Sequence, residues 1–168
     1  ITLFYYLRPM SGKKYIVIIG GPTASGKTAF AIQVAKHFNT EIVSCDSRQF
    51  YREMNIGTAK PNAEELAQVQ HHFIDSLSIE DQYSVGDYEK EVLPLLDGLF
   101  ESNDYVVMTG GSGLFINAVC FGLDRFPEVP LATRKIVEQD LEQKGIEFLQ
   151  QELKISDPEY FEEVDIQN

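Results

Sequence analysis

The chain has 168 residues, 43% of them hydrophobic and 24% charged, and its 14 Lys+Arg against 26 Asp+Glu give a formal net charge of −12. Length and composition suit one globular domain, or one domain with a small appendage, and exclude fibrous, collagenous and disordered chains. The total charge argues against nucleic-acid binding, yet residues 1–60 carry 8 basic and 3 acidic side chains, net +5, while residues 61–168 carry 6 and 23, net −17.

Two cysteines, Cys45 and Cys120, make neither a zinc pattern nor a disulfide framework, so a reducing, cytoplasmic compartment is expected. Cys45 falls in a buried apolar run and reads as packing. Residues 1–13 read as an N-terminal extension. Its apolar run Leu3 to Leu7 is too short to span a membrane and lacks the flanks of a signal peptide, so no membrane partner is expected.

From Lys14 to Gly20 the chain is continuously apolar and β-branched, which predicts a strand buried on both faces of a parallel sheet. A glycine turn, Gly21 to Gly26, leads into a helix with Ala31, Val34, Ala35 and Phe38 on one face. Glu41 to Cys45 is the next strand and delivers Asp46 at its C-terminal end. Asp46 to Pro61 reads as loop, Ala63 to Gln70 as a short helix and His72 to Asp75 as a brief strand. Val85 to Phe100 is an amphipathic helix in which Pro94 predicts a kink or break. Tyr105 to Thr109 is a further buried strand, followed by the loop Gly110 to Gly113 and a helix from Leu114 to Phe121.

This alternation defines an α/β fold, a parallel sheet flanked by helices, over residues 14–122. Residues 123–168 differ in character. Pro127 and Pro130 mark a linker, Ala132 to Lys144 is a charged helix, and two shorter helical pieces follow, the last begun by Asp157-Pro158. This tail is read as a helical insertion subdomain.

Gly21-Pro22-Thr23-Ala24-Ser25-Gly26-Lys27-Thr28 matches the phosphate-loop pattern G-x-x-x-x-G-K-[ST] in full, between a buried strand and an amphipathic helix as the pattern requires. Backbone N–H groups and the helix N-terminus converge on an anion, Lys27 reaches outer phosphate oxygens and the Thr28 hydroxyl can hold Mg²⁺. ATP, GTP and a prenyl diphosphate all satisfy that logic. Asp46, at the end of the second strand, faces the same crevice, because ligands in open parallel sheets bind beyond the C-terminal strand ends. There it can accept a proton, help hold the metal, or serve simply as a turn aspartate; position alone leaves these open. Arg48 and Lys60 belong to the basic front. At Thr109-Gly110-Gly111-Ser112-Gly113 a strand ends without the carboxylate many P-loop ATPases place there, which argues against an ordinary ATPase. His71 and His72 are adjacent, so they point to different sides and read as structural.

GPTASGKT at Gly21 to Thr28, DSRQFYREMNIGTAKP at Asp46 to Pro61, HHFIDS at His71 to Ser76, YSVGDY from Tyr83, TGGSGLF at Thr109 to Phe115 and DPEYFEEVDIQN at Asp157 to Asn168 occur together and in order. In these residues the chain resembles the tRNA dimethylallyltransferase family, with its P-loop NTPase-like sheet, and specifically the N-terminal part of such a protein. The resemblance implies transfer of a dimethylallyl group from its diphosphate to N6 of the adenosine immediately 3′ of the anticodon. It implies that Asp46 is the general base, that Thr23 and Lys27 act on the diphosphate held by residues 21–28, and that Thr28 carries Mg²⁺. Asp46, Ser47, Arg48, Gln49, Ser112 and Arg134 match positions that meet tRNA. A monomer is expected. A small-molecule or nucleotide kinase, or a non-catalytic nucleotide-binding module, would use the same loop and stands as the alternative.

Overall fold

A computed structural model describes residues 2–6, 14–123 and 129–165. The chain divides into two compact units, residues 1–123 and 124–168. The first is built on five strands, β1 (Thr2–Tyr6), β2 (Tyr15–Gly20), β3 (Ile42–Ser44), β4 (His71–His72) and β5 (Tyr105–Gly110), in the order β1-β2-β5-β3-β4. From β2 to β4 all neighbours run parallel, while β1 joins the edge antiparallel, with Thr2 opposite Gly20. The expected parallel sheet is present, and part of the N-terminal extension adds a strand to it.

Helices α1 (Lys27–Phe38), α2 (Ala63–Leu66), α3 (Val85–Ser102) and α4 (Gly113–Phe121) complete this unit. Successive strand side chains alternate between two cores. Val17, Ile19, Ile42 and Val107 meet Ala31, Ile32 and Ala35 of α1. Ile16, Ile18, Val43, Val106 and Met108 meet Tyr88, Val92 and Leu96 of α3 and Val119 of α4. Each fully buried aliphatic side chain contributes roughly 1.5–3 kcal/mol, so burial on both faces explains why the strands are uniformly apolar.

Three boundaries differ from the sequence expectation. Pro94 does not break α3, which runs unbroken from Val85 to Ser102. Pro94 is exposed, so the carbonyl it frees one turn earlier faces water. The helix expected to reach Gln70 stops at Leu66, because the Gln70 carbonyl is drawn to the Ile42 N–H at 2.9 Å and the chain straightens to join the sheet. The strand expected over His72 to Asp75 ends at His72, since Phe73 and Asp75 take left-handed φ angles of 60° and 53° that no ladder accepts.

Two capping boxes hold the helix starts, Asn62 with Glu65 on α2 and Ser84 with Asp87 on α3. The second unit contains α5 (Leu131–Lys144), α6 (Ile146–Ser156) and α7 (Pro158–Glu163). Asp157 caps α7 by accepting from the Tyr160 N–H at 3.0 Å, with Pro158 in the first turn as expected. None of these three helices buries a residue, and Ile136, Val137, Leu141 and Ile155 are exposed. Of the linker prolines, Pro127 lies outside the described residues. No helix among the described residues is long and apolar enough to cross a membrane.

Candidate functional site

The glycine loop turns sharply between β2 and α1. Gly21 (φ 153°), Ala24 (φ 62°) and Gly26 (φ 80°) adopt conformations that are rare for side-chain-bearing residues, and Gly26 is the N-cap residue of α1. No acidic residue occupies the first turn of that helix, which leaves its positive end open to an anion. The Lys27 ammonium donates to the Pro22 carbonyl at 2.5 Å, within the loop itself. The Ser25 hydroxyl is buried with no hydrogen-bond partner. An orphan donor inside a glycine loop is what a phosphate oxygen would satisfy.

The loop forms one wall of a cleft of about 300 Å³ lined by residues 23–29, Asp46, Gln49, Thr58, Ala59, Lys60 and Glu65. Asp46 reaches it because β3 and β5 end side by side. The Cys45 N–H donates to the Thr109 carbonyl at 2.8 Å, and a Cβ added to Gly110 would lie 2.5 Å from the Cys45 carbonyl carbon and 2.7 Å from Asp46 N. Only glycine permits that approach. A Cβ on Gly111 would stand 3.6 Å from Asp46 Oδ2 and 3.7 Å from the Gly21 carbonyl oxygen, so Gly111 touches the aspartate and the phosphate loop together.

Asp46 is only 6% exposed. Its Oδ1 accepts from the Arg48 N–H at 3.2 Å, the turn role that position suggested. Oδ2 has no protein donor among the described residues and faces Gly111 beside the cleft. The aspartate is thus a turn residue through one oxygen and available to a ligand through the other. Beside it, burial pushes the Cys45 thiol far above its ordinary range, and the Asp46 charge pushes it the same way. A thiol so held stays neutral, in keeping with a packing role.

The second and third motifs meet. Ser112 is the N-cap residue of α4, yet its hydroxyl does not cap the helix; it accepts from the Ser47 N–H at 3.2 Å and lies 3.3 Å from the Ser47 hydroxyl. Arg48 is exposed and points no charge into the cleft lining. The Gln49 amide is spent on the wall, donating to the Thr58 and Ala59 carbonyls at 3.0 and 3.1 Å. Arg134 lies in the helical unit, on α5, paired with Glu138 at 2.8 Å. Lys60, counted with the basic front, is bonded to the Asp75 carboxylate at 2.5 Å with its side chain 7% exposed. The histidines diverge as expected: His71 Nδ1 meets the Val69 carbonyl and His72 Nε2 meets Glu41. No group of three His, Cys, Asp or Glu among the described residues could hold a metal alone.

Sequence reasoning missed Tyr88. Its position on the apolar face of α3 was legible, but its hydroxyl donates to the Ser44 carbonyl at 2.9 Å in complete burial and so steadies the strand end that presents Asp46. No sequence signal marks that bond, because Ser44 and Tyr88 are 44 positions apart.

These features define an α/β protein of the P-loop type whose cleft joins the glycine loop to a buried carboxylate. A family model described as IPP transferase matches residues 49–168, and the chain belongs to that family. It is 53% identical over 155 residues to the tRNA dimethylallyltransferase of Flavobacterium johnsoniae, covering 92% of this chain and 50% of that protein. Identity to the Christiangramia forsetii protein of the same name is 52% over 154 residues, covering 92% of this chain and 51% of that protein. Among solved structures, the tRNA isopentenylpyrophosphate transferase of Bacillus halodurans is similar with a TM-score of 0.64 and 35% identity over 94% of this chain and 52% of that one. A eukaryotic dimethylallyltransferase solved acting on tRNA shares the fold, with a TM-score of 0.76 at 22% identity over 92% of this chain and 38% of that one. The chain spans about half the length of the curated relatives it matches.

Proposed function

We propose that the protein carrying this chain transfers a dimethylallyl group from dimethylallyl diphosphate to N6 of the adenosine immediately 3′ of the anticodon in tRNA. The observation that carries the reading is the juxtaposition, across one cleft, of the phosphate loop with the free Oδ2 side of Asp46. A diphosphate leaving group and an amine nucleophile need those two devices next to each other. The relatives are named as transferases of this kind, and nothing in the cleft favours the kinase alternative separately.

In the proposed reaction the N6 nitrogen attacks prenyl C1, the C1–O bond breaks, and its electron pair leaves with the diphosphate. Asp46 takes the N6 proton and passes it to solvent. The loop N–H groups, Thr23 and Lys27 stabilise charge gathering on the diphosphate, in the role of preorganised donors. Thr28 would hold Mg²⁺ through its hydroxyl. No group of three His, Cys, Asp or Glu among the described residues would hold it alone, and when bound it would supply charge neutralisation on the leaving group. Ser47 and Ser112, already within reach of each other, and exposed Arg48 are assigned to the flipped base and its neighbours, Gln49 to the wall behind it, and Arg134 to tRNA. A monomer acting in the cytoplasm, where the tRNA substrate is met, completes the proposal.

The test is single-turnover transfer of labelled dimethylallyl to tRNA by the full-length protein. Asp46→Asn is expected to slow transfer by about 10²- to 10⁴-fold, the range for a lost general base, while inorganic pyrophosphate still binds within about 3-fold. Lys27→Met is expected to lose pyrophosphate binding. Wild-type transfer by Asp46→Asn, or phosphoryl transfer from ATP with no prenyl transfer, would overturn the reading.

A further inference from the structure

The cleft contains a second lysine whose role the motif does not define. Lys60 lies in the lining with Thr58 and Ala59, opposite the phosphate loop. Its ammonium has three protein acceptors drawn from three places: the Tyr51 carbonyl at 2.8 Å, Asn55 Oδ1 at 3.0 Å and Asp75 Oδ1 at 2.5 Å. An ammonium has three protons, so all are used. The side chain is 7% exposed, against 42% for Asp75. Lys27, by contrast, has no carboxylate partner among the described residues.

The segment this ammonium holds is built from unusual backbone. Gly57 (φ 76°) and Ala59 (φ 48°) lie on the near side of the lysine, and Phe73 (φ 60°) and Asp75 (φ 53°) on the far side. Left-handed conformations at side-chain-bearing residues persist only where surrounding bonds over-determine them. Those bonds are present. Asp75 N–H donates to the Gln49 carbonyl at 3.1 Å and Leu77 N–H to the Phe50 carbonyl at 2.9 Å. The Thr58 hydroxyl donates to the Met54 carbonyl at 3.0 Å, and Gln49 closes the loop onto Thr58 and Ala59. Residues 49–52 are therefore laced to residues 75–77, residues 54–59 are tied back onto Met54 and Gln49, and Lys60 adds a separate link from the end of this stretch to Asp75; Gln49 and Asp46 belong to the same stretch of chain.

We infer that Lys60 is a positioning residue: it fastens the 46–61 segment to Asp75 and so fixes the cleft wall opposite the phosphate loop, and it does not bind the anion. The inference rests on the proposed transferase reading only for its catalytic consequence.

Three variants of the full-length protein test it: Lys60→Met, Asp75→Asn and the double variant. Inorganic pyrophosphate binding by calorimetry, amide hydrogen exchange over residues 46–61 and single-turnover transfer are read for each. A positioning role predicts pyrophosphate affinity within about 3-fold of wild type in all three, with exchange over 46–61 raised at least about 10-fold and exchange over 21–28 unchanged. Transfer should fall similarly in each single variant, and the double variant should be no worse than the poorer single one, because both remove one interaction. Lys60→Arg should restore part of the protection. An anion ligand would behave otherwise: Lys60→Met would weaken pyrophosphate tenfold or more while Asp75→Asn left it unchanged or tighter. That outcome, or unaltered exchange in both single variants, overturns the inference. Asp75→Asn keeps the side-chain volume, so it decides the matter even where Lys60→Met fails to fold. If wild-type protein transfers no prenyl group, the function reading fails, while exchange and pyrophosphate binding still decide the role of Lys60.

Discussion

Replacing Gly110 by alanine inserts one methyl group at the closest backbone approach of the site. The new Cβ would sit 2.5 Å from the Cys45 carbonyl carbon and 2.7 Å from both Asp46 N and the Cys45 oxygen. All three are backbone atoms that cannot swing aside. Ordinary van der Waals contact begins at 3.4 Å, so the end of β3 must retreat from β5 by about 0.9 Å, and Asp46 N is among the atoms that move. Overpacking of this kind costs roughly 1–3 kcal/mol, which in a chain of this length lowers Tm by roughly 2–12 °C. Displacing the carboxylate by nearly 1 Å should slow transfer by about 10²-fold. Gly111→Ala is the control for stability: its Cβ would meet Asp46 Oδ2 at 3.6 Å and the Gly21 oxygen at 3.7 Å, ordinary contacts costing no more than about 0.5 kcal/mol. Thermal unfolding followed by circular dichroism, with single-turnover transfer on the same samples, reads both effects. Equal stability and equal rates in the two variants would refute the close-approach argument.

Tyr88→Phe keeps the ring stacked on Phe50 at 5.4 Å but removes the buried bond to the Ser44 carbonyl, so stability should fall by about 1–2 kcal/mol. Urea denaturation should show a lower midpoint with an unchanged slope. His71 is held below its ordinary value of 6.5, mainly because burial penalises its charged form. The unfolded chain then binds more protons than the folded one, so this group's contribution is complete above about pH 6.5 and erodes as pH falls below it. His71→Asn, which can still donate to the Val69 carbonyl, should flatten that slope below about pH 6.5 in equilibrium unfolding; an unchanged slope would assign the effect elsewhere.

Where local chemistry is strong, the sequence alone was enough to read the structure. The apolar run of β2, the complete glycine loop and the amphipathic α1 each follow from patterns within a dozen residues, and Asp157-Pro158 announced α7 in the same way. Boundaries failed where a distant partner competed. Leu66 ends α2 because a strand bond claims Gln70, and His72 ends β4 because the next residues are bent to bring Asp75 to Lys60. Pro94 failed as a breaker for another reason, since only the packed helix shows that it faces water.

The site divides along the same line. Residue types and their order in the chain determined that a complete glycine loop of the phosphate-loop pattern follows the first core strand, that an aspartate follows the second, and that the chain resembles tRNA-modifying transferases. Each rests on residues that are neighbours in the chain, so these are local properties. The charge split was legible too, but its meaning was not, because Lys60 is counted with the basic front and yet is neutralised by Asp75. Only tertiary structure decided that Asp46 turns one oxygen inward and leaves the other beside the phosphate loop, that Ser47 and Ser112 share a hydrogen bond, and that Tyr88 steadies the strand beneath them. The Ser47–Ser112 contact and the place of Asp46 beside the loop need two strand ends meeting at a distance only Gly110 allows. A contact of that kind joins residues tens of positions apart through space, and no periodicity along the chain encodes it.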